Sequence, residues 1–109
     1  MRDTSELTAA VERFADRLRA APQSRLKQGA AAEGLALARE LAVRAQRAED
    51  REREPRIMPD AGLFAVGDQL TVAGNDLAEI LRTAPAGSRE GELDEAVRLV
   101  REAAERSGL

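Results

Sequence analysis

The chain has 109 residues, a formal net charge of −3 and 34% charged side chains, which leaves room for one domain and little more. It contains no His, Cys, Trp or Tyr, and only one of its seventeen basic residues is Lys. These absences exclude a disulfide framework, a thiolate nucleophile, Cys-ligated zinc and the imidazole base that ordinarily works near pH 7.

Thr4 or Ser5 can cap a first helix over about 5–21, with Glu6 in its first turn. Leu7, Val11, Phe14, Leu18 and Ala21 then follow at intervals of 4, 3, 4 and 3, which puts all five on one helical face. Pro22 ends that helix, and Ser24 stands where the next cap belongs. Residues 24–54 hold no proline and are rich in Ala, Leu, Glu and Arg, so the spacing predicts one long helix of about 45 Å. Its stripe is Leu26, Ala30, Leu37, Leu41, Ala45 and Ala48, interrupted by Gly34. Beyond Val43 it carries no large apolar residue, so its end is expected to face solvent or a partner.

Residues 54–59, with Pro55 and Pro59, read as an extended linker. A third helix over 60–84, capped by Asp60, would align Leu63, Val66, Leu70, Ala73, Leu77 and Ile80. A hairpin turning at Gly67-Asp68 is the competing reading of 63–73, but no further strand is available to complete a sheet. Pro85-Ala86-Gly87 marks a turn, and Ser88 can cap a fourth helix over 88–107. Glu90, Glu92, Asp94 and Glu95 crowd its start, where the helix dipole favours negative charge, and Leu93, Val97, Val100 and Ala104 form its stripe. The expected fold is therefore all-α: a single-domain antiparallel four-helix bundle over 1–109, open to completion by dimerisation.

The core must be small, because Leu, Val, Ile, Met and Phe together fill only 25 positions. Small cores are often completed by association, which is the first argument for a partner. The bias to Arg and Ala is what a GC-rich bacterial genome writes. No stretch approaches the roughly 18 apolar residues of a membrane span, and Met1–Glu6 does not open a signal peptide, so a cytoplasmic protein is expected.

The motifs that carry chemistry fail on inspection. Ser24-Arg25-Leu26-Lys27 has the Ser-x-x-Lys spacing of penicillin-interacting serine enzymes, but no Ser-Asp-Asn or Lys-Thr-Gly follows. Gly29 and Gly34 have phosphate-loop spacing, yet the sequence continues Leu35-Ala36 rather than Lys and Ser or Thr; close helix packing explains them better. Packing is also the preferred reading of Gly67 and Gly74, seven residues apart. Without His a di-metal bundle site cannot be built, and no calcium-loop spacing occurs, so neither a metal nor another cofactor is expected. Glu33, Gln69, Asn75 and Asp76 are candidate polar contacts for a small ligand between the second and third helices.

The arginines of 39–56 alternate with Glu40, Glu49, Asp50, Glu52 and Glu54, and Glu40–Arg44 and Glu49–Arg53 are placed for i,i+4 pairing. That pattern makes a nucleic-acid surface less favoured than a solvated helix. The expected function is a non-catalytic helical interaction module that associates with itself or another helical protein. Leu7, Val11, Phe14, Leu18, Gly67, Leu70, Gly74 and Leu77 are the candidate interface positions. The alternatives are a small-ligand sensor or small helical enzyme, and a DNA-associated regulator using Arg44, Arg47 and Arg51.

Overall fold

In a computed structural model, described for residues 3–85 and 89–109, four long helices pack into a bundle. They are α1 (Ser5–Ala20), α3 (Ala31–Glu49), α4 (Val66–Thr83) and α5 (Glu90–Ser107), with a short α2 (Gln23–Arg25) between the first two. No strand occurs among the described residues, so 63–73 is helical rather than a hairpin. No helix among them is long and apolar enough to cross a membrane.

The stripes read from the sequence form the core. Leu7, Val11, Phe14 and Leu18 of α1 meet Leu70, Ala73, Leu77 and Leu81 of α4, with Leu37 and Leu41 of α3 and Val97 and Val100 of α5 closing the interior. Ten large side chains are almost wholly removed from water, Phe14, Leu70 and Leu77 among them. Burial of this kind stabilises by about 1.5–3 kcal/mol per large side chain.

The expected long helix over 24–54 is broken and shortened. Leu26–Ala30 is a wide turn in which Gly29 has φ 134°, so α3 starts afresh at Ala31. Nothing lies near the position a Gly29 side chain would occupy, so this glycine serves the backbone bend and not close packing. At the other end α3 stops at Glu49, where Asp50 turns extended and its carboxylate accepts the Glu52 N–H at 3.0 Å. Residues 50–54 offer no apolar side chain to pack, so helix propensity alone does not extend the helix.

The first turn of the third predicted helix also differs. Asp60 does not cap it; its carboxylate accepts the Gly62 N–H at 2.9 Å, and Gly62 takes φ 100°. A single tighter turn, Leu63–Ala65, leads into α4. Ser24 lies inside α2, which follows Pro22 with no side-chain cap. The Ser88 cap and the turn at 86–87 lie outside the described residues.

The long connection sets the direction of the helices. Gly34 faces Val66 near the start of both α3 and α4, while Ala48 and Leu77 share a pocket toward their ends, so these neighbours run parallel. Residues 50–62 must therefore travel back along α3. They are held there by Gln46, whose side chain donates to the Arg56 carbonyl at 2.9 Å and accepts its N–H at 2.8 Å. Arg39 Nε donates to the Met58 carbonyl at 2.7 Å, and Gln69 Nε2 to that of Pro59 at 2.9 Å. Arg106–Glu33 and Arg44–Glu95 show that α5 runs antiparallel to α3, and Gly67 against Ala15 with Gly74 against Val11 shows the same for α4 and α1.

Candidate functional site

Glycines bring α1, α3 and α4 together, Gly34 and Gly67 at one end of the bundle and Gly74 midway along α4. A Cβ on Gly34 would lie 2.7 Å from Val66 Cγ1 and 2.9 Å from Leu18 Cδ1, and one on Gly74 would lie 2.7 Å from Val11 Cγ1. A Cβ on Gly67 would lie 3.1 Å from the Ala15 carbonyl oxygen. Close approach is thus what these three glycines permit. Beside them Arg19 donates to Asp68 at 2.9 and 3.0 Å, to Asp16 at 3.1 Å and to the Thr71 hydroxyl at 2.9 Å.

The other end of the bundle is more open. A pocket of about 380 Å³ lies between the end of α3, the second half of α4 and the start of α5. Arg44, Arg47 and Ala48 line it from α3, Arg51 from the following turn, and Leu77 from α4. Arg89 and Glu92 enter from the start of α5. Arg89 has φ 61°, a left-handed conformation that is uncommon outside glycine. Its guanidinium donates to the Ala48 carbonyl at 3.2 Å and to Glu92 at 3.2 and 3.3 Å. Arg44 donates to Glu40 at 2.7 Å and lies 3.7 Å from Glu95. Arg47 and Arg51 are exposed and have no ion-pair partner among the described residues.

A second, more apolar groove lies where the return connection crosses α3 and α4. Ala42, Ala45, Met58 and Ile80 line it, with Ile57 and the carboxylates of Asp76 and Glu79 at its edges. Here the structure places one of the four polar residues singled out as ligand contacts. Asp76 borders the groove, but Asn75 is exposed and Gln69 is tied to Pro59. Gln69 Oε1 is buried without a hydrogen-bond partner among the described residues. Glu33 faces the opposite neighbour, accepting from Arg106 Nε of α5 at 2.8 Å. The four therefore do not converge on one site.

The eight candidate interface positions are all buried inside this chain. Leu7, Val11, Phe14 and Leu18 pack against α4, whose Gly67, Leu70, Gly74 and Leu77 face inward. The sequence stripe marks a face that must be covered, and here the covering helices belong to the same chain. Among the described residues the large apolar side chains left exposed are Ile57, Phe64 and Val72, at 63%, 72% and 59%. No sequence stripe contains any of them.

Among the described residues, the groups with displaced proton affinities are exposed or half-buried. A hydrogen bond from Arg98 holds the Glu95 carboxyl below its usual range, and the Ser5 side chain and N–H do the same for Asp3. Hydrogen bonds to carboxylates raise the guanidiniums of Arg19, Arg82, Arg98 and Arg106. Among the described residues no three acidic side chains gather to hold a metal ion. Compared with known proteins, the chain matches no family model, no curated protein and no solved structure.

Proposed function

We propose that the protein is a non-catalytic helical interaction module that associates with a second copy of itself, or failing that with another helical protein. The reading rests on one observation: Phe64, in the tighter turn ahead of α4, and Val72, in the second turn of α4, are both largely exposed. They stand eight residues apart in the sequence, at the same end of the chain's third long helix. Ile57, on the returning connection, adds a third exposed apolar side chain. Large exposed aromatic and aliphatic side chains are the usual anchors of a helical interface. The compartment we take to be a bacterial cytoplasm, on the composition alone.

The association is tested by sedimentation equilibrium across a micromolar to millimolar concentration series. A dimer is expected, and replacing both Phe64→Glu and Val72→Glu should return the chain to a monomer while leaving its helical circular dichroism intact. A strict monomer for the unaltered chain at high micromolar concentration would end this reading. The small-ligand alternative is favoured by a separate observation, the arginine-lined pocket.

A further inference from the structure

We infer that the pocket between the end of α3 and the start of α5 binds a small dianion, specifically a phosphate monoester with a compact apolar substituent. The charge inventory carries this. Among the described residues, four guanidiniums line the pocket against a single carboxylate, Glu92. Arg89 is paired with that carboxylate, and Arg44 with Glu40 and Glu95 outside it. Arg47 and Arg51 are left with no ion-pair partner among the described residues, two positive charges facing one cavity. A phosphate monoester carries about −1.5 to −2 at neutral pH, which matches them.

The geometry supports the same ligand class. Guanidinium forks bind phosphate oxygens through paired N–H donors. Arg89 is already fixed by its bonds to the Ala48 carbonyl and Glu92, so part of the site is organised in advance. A volume of about 380 Å³ exceeds what a phosphate group fills and falls in the range of small-molecule sites. Leu77 and Ala48 provide apolar wall for the rest of the ligand. Phe64, Val72 and Ile57 do not line this pocket, so it stands or falls independently of self-association.

The test is calorimetric titration of the full chain with phenyl phosphate, with ¹⁵N-resolved NMR to locate the site. Saturable binding is expected with a Kd of roughly 10 μM to 1 mM, with shifts concentrated at Ala48, Leu77 and Glu92. The double variant Arg47→Gln/Arg51→Gln alters two exposed side chains and should keep the fold, yet weaken binding by about tenfold or more. Arg17→Gln on α1, outside the pocket, should leave binding unchanged. Absence of saturation up to about 10 mM, or equal weakening by Arg17→Gln, would overturn the inference. Tighter binding of a duplex oligonucleotide than of phenyl phosphate, lost in the double variant, would overturn it in favour of a nucleic-acid surface.

Discussion

Both ends of this bundle are built around arginine, with opposite results. Where α1 finishes and α4 begins, Arg19 is surrounded by acceptors from Asp16, Asp68 and Thr71, and Gly34 and Gly67 let the helices close on one another. Where α3 finishes and α5 begins, four arginines line a pocket and two of them, Arg47 and Arg51, have no ion-pair partner among the described residues. The difference does not lie in the residue type. It lies in how many carboxylates and hydroxyls the neighbouring helix brings within reach, which is a property of the packed chain.

Core truncations should give the largest contrast. Leu70→Ala, wholly enclosed, is expected to cost about 3–5 kcal/mol because the cavity cannot refill. Leu77→Ala should cost less, about 2–3 kcal/mol, since its space opens into the neighbouring pocket. Urea denaturation midpoints measure both, and equal losses would mean the two ends are equally closed. Next comes Gly74→Ala, whose added methyl meets both Val11 methyls at 2.7 and 2.8 Å. Overpacking of about 1–3 kcal/mol opposes a helix-propensity gain of about 1 kcal/mol, so a net loss of about 1 kcal/mol is expected. A thermal midpoint higher than that of the unaltered chain would show that α1 and α4 can move apart.

Arginine removals should be smaller still. Arg19→Gln is expected to cost at most about 1 kcal/mol, its contacts being partly exposed and screened by salt. Arg47→Gln should stay within about 0.5 kcal/mol of the unaltered chain, as expected of a side chain with no ion-pair partner among the described residues. Paired denaturation curves at low and high salt would separate the two. The smallest effect concerns acid. Arg98 depresses the folded-state pKa of Glu95, so this contribution is complete above the ordinary value of 4.5 and disappears as pH falls below it. Glu95→Gln should flatten that part of the stability profile, measured as denaturation midpoint against pH; an unchanged slope would assign it to other carboxylates.

How much of this was legible in the sequence depends on what each feature requires. The stripes of α1, α4 and α5 follow from periodicity, and the packing role of Gly34, Gly67 and Gly74 from small residues beside those stripes. The bend at Gly29 did not, because a positive φ leaves no mark in a run of good helix formers. The end of α3 at Glu49 was hidden likewise, since Ala, Glu and Arg favour helix whether or not anything packs on them. Arg44, Arg47 and Arg51 share a helical row visible in the sequence, but Arg89 joins them only through the tertiary fold. The position of Glu33 beside a stripe is visible in the sequence, yet its partner Arg106 lies on another helix. The interface positions are apolar stripe residues together with two glycines that admit a close backbone, and neither feature says which chain will cover them.

The returning connection has a consequence for how the chain comes apart. Its backbone is gripped at Arg56, Met58 and Pro59, whereas Arg51 and Arg53 stand exposed ahead of those bonds. Trypsin at low dose should therefore cut first after Arg51 or Arg53, in a stretch whose backbone accepts no bond from another helix among the described residues. The two fragments would still share the α3–α4, α1–α4 and α3–α5 faces, and are expected to elute together as one particle. Separate elution of the halves would mean that covalent continuity, rather than packing, holds the parallel pair in place.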